Sequence, residues 1–386
     1  ELAATGRKDN SKKAYYREFR KVVEQADVIL EVLDARDPMG CRPKQIEEMI
    51  MNAGGNKRII LVLNKIDLVP RDVVEKWMKY LRNEFPTIAF KASTQAQRSN
   101  IGRSNVPTDK ASADLLNSSE CLGADNLVKL LKNYCRNNNI KTSITVGVVG
   151  FPNVGKSSVI NSLKRSKACN VGASAGVTKV AQQIHLDKNI KLLDCPGIVF
   201  SKESPSNDPK AQAEVLLRNC VKSELIDDPI TPVELILSRC SKEQIQLLYD
   251  IPPFSSTTDF LIHLAKVRGR LRKRGSPDLE STARSVLQDW NAGRVPFYTL
   301  PPSTGVAVTS HVSSSLVTSW SKEFEMPEIV EVEEALINSV GTRDSMGRMV
   351  AMKSSAPAED VVDDDNYVDV DEDEMDEEDD EDGEFF

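Results

Sequence analysis

SITVGVVGFPNVGKSSVINSLKRS, residues 143–166, decides the fold. Its first eight residues form an apolar run typical of a buried strand. GFPNVGKS (150–157) then matches G-x-x-x-x-G-K-[ST], and the remainder has helical spacing. A glycine-rich turn between a strand and a helix lets backbone N–H groups converge on phosphate oxygens at the helix N-terminus. Gly150, Asn153, Val154, Gly155, Lys156, Ser157 and Ser158 are therefore candidate phosphate-binding residues. Lys156 would reach the β- and γ-phosphates, and the Ser157 hydroxyl would ligate Mg²⁺. A purely structural glycine turn is the alternative, and the strand and helix flanks argue against it.

Moving outward, NIKLLDCPG ends in D-x-x-G, placing Asp194 where it holds Mg²⁺ through water and the Gly197 N–H where it contacts a γ-phosphate. Between the two motifs, AGVTK (175–179) offers Thr178 as the residue that closes on Mg²⁺. Lys156, Thr178 and Gly197 are the candidate catalytic groups. On the N-terminal side, RIILVLN ends in NKID (64–67). The Asp67 carboxylate can accept from both N1–H and the 2-amino group of guanine, a donor pair that adenine lacks. Asn64 and the aliphatic stem of Lys65 would shape and cover the base. KAST (91–94) ends the next strand, with the Ala92 N–H aimed at guanine O6 and Ser93 beside it. The expected ligands are GTP and GDP with Mg²⁺.

Six apolar runs, DVILEVLD, RIILVLN, PTIAFKAS, SITVGVVG, VAQQIHLD and NIKLLDCPG, alternate with helical stretches. That pattern predicts an α/β fold with a three-layer sheet over residues 10–205. Residues 95–120 are polar and aperiodic and read as a flexible insertion. The motif order is the informative feature. In ordinary small GTPases the phosphate loop comes first and N-K-x-D last; here the order is reversed, with the chain break moved to just after DCPG. The sequence predicts a circularly permuted P-loop GTPase domain.

The ordered set DARDPMGCR (34–42), LNKIDLVP (63–70), FKAST (90–94), GFPNVGKSSVINSL (150–163), CNVGASAGVTK (169–179) and LLDCPGIVF (192–200) resembles the circularly permuted GTPases of ribosome assembly. It is most similar to their nucleostemin-like branch. The resemblance covers roughly residues 10–290. It implies a nucleolar, nuclear GTPase that associates with the pre-60S ribosomal particle and rRNA and supports pre-rRNA processing. Ile198 stands where many GTPases carry a water-orienting Gln. The resemblance therefore implies either a potassium ion (K⁺) held partly by Asn153 or a group supplied by the particle, with slow turnover otherwise. A nucleotide-gated scaffold that sequesters protein partners and barely hydrolyses GTP is the competing expectation.

After about residue 205 the character changes to helical periodicity, predicting a smaller all-helical domain over 206–300. KVRGRLRKRG (266–275) concentrates Lys266, Arg268, Arg270, Arg272, Lys273 and Arg274. It reads as an rRNA phosphate-binding surface, with a solvated helix face or a nuclear-targeting run as alternatives. Trp290, Phe297 and Tyr298 read as core rather than base-stacking platforms. Residues 301–386 are rich in Pro, Ser and Thr, then in Asp and Glu, and predict a mostly disordered, acidic C-terminal tail. Protein partners are expected through the helical domain and this tail.

The net charge of −8 hides this division. Eighteen of the 58 acidic residues lie after residue 358, so the other 40 face 50 Lys and Arg and that part of the chain is net +10. Seven cysteines without a C-x-x-C pair and three scattered histidines predict a reducing compartment and no zinc. No apolar run is long enough for a membrane span, and neither membrane nor DNA is an expected partner. The start at Glu1 rather than Met reads as a fragment. With the break after DCPG, γ-phosphate contact at Gly197 is expected to reposition residues 209–291.

Overall fold

The computed structural model describes residues 16–42, 44–52, 57–94, 120–137, 143–170, 180–197, 226–302, 314–326, 329–331 and 349–352, with isolated positions 213, 217 and 333. Thr178, Ile198, most of the 95–120 insertion and the acidic tail lie outside them. Strands β1 (Val28–Asp34), β2 (Arg58–Asn64), β3 (Thr87–Ala89), β4 (Ile144–Val149), β5 (Gln182–Asp187) and β6 (Ile190–Asp194) form one sheet in the order β3-β2-β1-β4-β6-β5. Only β5 is antiparallel to its neighbour. β1, β2 and β4 are almost wholly buried, as expected for strands covered on both faces by helices.

The topology explains how a reversed motif order keeps one site. β1 pairs in parallel with both β2 and β4, so the N-terminal strand joins the half that carries NKID to the half that carries the phosphate loop. The carboxyl ends of the parallel strands then share an edge, the usual place for a ligand in an open α/β sheet. Asp34, Asn64 and Asp194 end three of these strands, and Gly150 follows a fourth. Helices α1 (16–25), α2 (Lys44–Asn52), α3 (Arg71–Leu81), α4 (Ala124–Asn137) and α5 (Lys156–Lys164) supply the covering layers. Phe19, Val22, Val23 and Ala26 bury the apolar stripe expected for α1.

Helices α6 (Ile230–Arg239), α7 (Lys242–Tyr249), α8 (Thr257–Val267) and α9 (Leu279–Asn291) build a second core around Val233, Ile236, Phe260, Leu264, Val286 and Trp290. Three of them start at side-chain caps: Ser241, Ser256 and Asp278 each accept the backbone N–H three residues on.

The expectation of disorder beyond residue 301 is corrected over part of that length. Helix α10 (Ser314–Glu323) packs on the first core, with Trp320 stacked on Phe85 at 5.9 Å and Phe324 on Tyr134 at 5.0 Å. Arg58 holds Glu323 through two hydrogen bonds of 2.6 and 2.9 Å. Glu333 is buried against Arg82 and the Ala89 N–H, and burial pushes its carboxyl up to about 7. Strand β8 (Val350–Met352) pairs in parallel with β7 (Phe297–Thr299). A Pro/Ser-rich average hid these elements, because two aromatics four residues apart suffice to anchor a short helix.

Candidate nucleotide-binding site

The phosphate loop and the NKID turn are fastened together. Asn64, buried at the end of β2, donates from Nδ2 to Val154 O at 2.8 Å and accepts the Ala92 N–H on Oδ1 at 3.1 Å. Lys65, in the left-handed region at φ 63°, places Nζ 2.7 Å from Asn153 O. One buried amide and one ammonium thus unite three loops from separate parts of the chain. Gly155 has to be glycine here, since a Cβ would run into Asn64 Nδ2 and φ is +100°.

Sequence reasoning assigned Asn64 to the base and Ala92 N–H to guanine O6. The structure adds a second role: the Asn64 amide ties the loops together, with the Ala92 N–H as its partner, and the second N–H of Nδ2 is left for the base. A buried carboxamide must satisfy both ends, and the nearest backbone groups do so. The Ser93 N–H likewise donates to Ser162 Oγ at 2.9 Å, tying KAST to α5. Asp67 sits partly exposed in the single 3₁₀ turn Ile66–Leu68, on the same sheet edge.

Lys156 Nζ donates to Gly150 O at 2.9 Å and Phe151 O at 2.7 Å, curled inside the loop it belongs to. Burial lowers its pKa to about 8, with Cys195 and Asp194 opposing. A bound phosphate would restore the charge, so binding above that pH takes up a proton. Affinity for GDP should therefore be flat from pH 6 to 7 and fall above pH 8, approaching about tenfold per pH unit. Titrating a fluorescent GDP analogue between pH 6 and 9 checks this. A profile flat to pH 9 contradicts it, and Lys156→Gln should give weak binding with no slope.

Ser157 Oγ and Asp194 Oδ2 are 2.9 Å apart. Asp194 Oδ1 is buried without a hydrogen-bond partner among the described residues, and burial raises the carboxyl despite Ser157, the Cys169 thiol and Lys156. A hydroxyl beside an unshared carboxylate oxygen fits a hard divalent cation such as Mg²⁺. Gly197 rests on the phosphate loop, where a Cβ would stand 2.8 Å from Pro152 Cα and 3.1 Å from Lys156 Nζ. Any side chain at 197 would press on the phosphate loop and on Lys156.

Spacing did not reveal three further residues. Asp34 binds Lys65 Nζ at 2.8 Å and Arg36 Nη2 at 2.7 Å. Burial alone would push Asp34 up; Arg36 and Lys65 outweigh it and hold the carboxyl far below the usual range. Asn161 accepts the Ala168 and Cys169 N–H groups at 2.8 Å each and fixes the chain leading towards Thr178. DARDP begins at the last residue of a buried strand, which was the available signal for Asp34 and Arg36.

The basic stretch divides in two. Arg268 is tied to Ser285 and Asp289, and Arg270 to Ser281, so both belong to the helical core. Arg272 reaches Asp278 at 3.2 Å but stays exposed with Lys266, Lys273 and Arg274. Trp290 and Phe297 are buried and stacked at 4.0 Å, as expected of core residues.

Residues 145–250 match a family model described as 50S ribosome-binding GTPase. The chain is 52% identical over 335 residues to guanine nucleotide-binding protein-like NSN1 of Arabidopsis thaliana, covering 87% of this chain and 56% of that protein. It is 51% identical over 335 residues to the guanine nucleotide-binding protein-like 3-like protein of Bos taurus, covering 87% and 57%. It is also 38% identical over 374 residues to the nuclear GTP-binding protein NUG1 of Saccharomyces cerevisiae, covering 88% and 69%. The chain thus spans little more than half the length of the first two. By this identity and coverage, and by a sheet that carries the base-reading motif ahead of the phosphate loop, it belongs to the nucleostemin-like branch of the circularly permuted GTPases.

Proposed function

We propose that this chain is a GTPase, slow on its own, whose nucleotide state governs its association with pre-60S ribosomal particles in the nucleolus, in support of pre-rRNA processing. The observation that carries the reading is the double clamp from Asn64 to Val154 and from Lys65 to Asn153. It makes one site of a guanine reader and a phosphate loop. The division of labour follows the domain bounds expected from the sequence: residues 10–205 hold the nucleotide and residues 206–300 meet the particle.

Within the site, Asp67 accepts the guanine donors and Lys156 turns from its own loop carbonyls to the phosphates. The Gly197 N–H would meet the γ-phosphate, and Ser157, Asp194 and Thr178 would hold Mg²⁺. A bound Mg²⁺ would neutralise charge developing on the β- and γ-phosphate oxygens. Ile198 cannot orient the attacking water, so K⁺ held partly by Asn153 or a group from the particle would complete the site. Lys266, Arg272, Lys273 and Arg274 contact rRNA phosphates, which needs no base reading. The name NUG1 carries, nuclear GTP-binding protein, and the description of the matched family agree with this assignment.

GTP turnover by the full chain, in KCl or NaCl and with or without large-subunit precursor particles, tests the proposal. The expected result is an increase of about tenfold or more with KCl or particles, modest beside what a supplied catalytic group does for other GTPases. No stimulation under any of these conditions would favour the nucleotide-gated scaffold.

A further inference from the structure

We propose that Asp34 and Arg36 are positioning residues that fasten the guanine-reading turn to the helical part of the chain, so that nucleotide binding is felt at residues 286–299. The inference rests on the reading of the site as a guanine-nucleotide site and concerns its regulation. Asp34 Oδ1 accepts the Arg36 N–H and Nε–H at 3.0 Å each, and Oδ2 accepts Arg36 Nη2 at 2.7 Å. A carboxylate gripped on both oxygens fixes the plane of the guanidinium. The free corner of the same group, Nη1, donates to Trp290 O at 3.2 Å, and the guanidinium lies 5.1 Å from the Phe297 ring centre.

The Arg36 main chain repeats the connection. Its carbonyl accepts the Thr299 N–H at 2.8 Å and the Thr299 hydroxyl at 3.0 Å. The Thr299 carbonyl in turn accepts Trp77 Nε1–H at 2.7 Å, from α3. On the other side, Asp34 Oδ2 shares Lys65 Nζ with Asn153 O. A continuous line of polar contacts therefore runs from the phosphate loop through Lys65, Asp34 and Arg36 to the end of α9.

Arg36 is 6% exposed, so its charge has little solvent to fall back on. Movement of Lys65 when a base slides under its stem changes the load on Asp34, and Arg36 must follow or lose its pairing. The expected route from Gly197 into the helices crosses residues outside the described set. The route through Arg36 starts instead at the base, and it gives GDP as well as GTP a means of steadying the helical part.

Hydrogen exchange on the full chain, with and without saturating GDP, is the test. In the wild type GDP should slow exchange at 150–157 and, through Arg36, slow it roughly tenfold or more at 286–299. In Arg36→Lys, whose single ammonium cannot hold Asp34 and reach Trp290 O together, slowing at 286–299 should fall below about twofold while slowing at 150–157 persists. A loss of packing alone would raise exchange equally with and without GDP. Thr299→Val, which removes the hydroxyl bond and leaves the ion pair, should also diminish the effect and serves if Arg36→Lys does not fold. Undiminished slowing in the variants, or none at 286–299 in a wild type protected at 150–157, overturns the proposal. No protection at 150–157 would overturn the nucleotide reading itself.

Discussion

Asp67→Ala is expected to abolish the preference for guanine over adenine nucleotides. Asp67 offers a carboxylate at the partly exposed turn Ile66–Leu68 on the edge of the sheet, within the same loop as the clamped Asn64 and Lys65. Its two hydrogen bonds to guanine would be charge-assisted, each contributing about 1.5–3 kcal/mol. Losing both costs roughly 10²–10⁴-fold in GDP affinity and leaves ADP binding unchanged. Competition of GTP and ATP for a fluorescent GDP analogue measures it. An unaltered GTP-to-ATP ratio in the variant would remove Asp67 from the site and favour a P-loop ATPase instead.

The second large effect is on stability and affinity together. Asn64→Ala strands the Val154 carbonyl and the Ala92 N–H where Asn64 is 1% exposed. Each buried group left without a partner costs about 1–3 kcal/mol, so the sum is roughly 2–6 kcal/mol of stability. GDP affinity should fall with it, because the base-reading and phosphate loops lose their common fastening. Asn64→Asp keeps an acceptor for Ala92 but sets a carboxylate against the Val154 carbonyl, and should be almost as damaging. Denaturant unfolding with a GDP titration checks both variants. A cost below about 0.5 kcal/mol, within the range of ordinary surface substitutions, contradicts the account.

What could be read in advance follows from range. The strands were legible because buried parallel strands are continuous apolar runs, and the phosphate loop because its function requires specific residues at fixed spacing. The reversed motif order was legible too, since β1 needs only to fill the place between β2 and β4. Partnerships across the chain were not. Spacing puts Asn64 beside a base, yet cannot show that its amide also ties Val154 to Ala92. Arg36 meets Trp290 across 254 residues, and no local pattern encodes that contact. Counting six cations in 266–275 overstated the free charge, because Asp289 and Asp278 pair with Arg268 and Arg272 and Ser281 holds Arg270. The α10 strap escaped notice because its Trp320 and Phe324 sit in a polar average.

On the proposed function, nucleotide state sets affinity for the ribosomal precursor. Co-sedimentation of the full chain with large-subunit precursor particles, loaded with a non-hydrolysable GTP analogue or with GDP, tests it most directly. The expected result is a difference in affinity of tenfold or more between the two states, a coupling of about 1.4 kcal/mol or more. Equal affinity in the two states would contradict it.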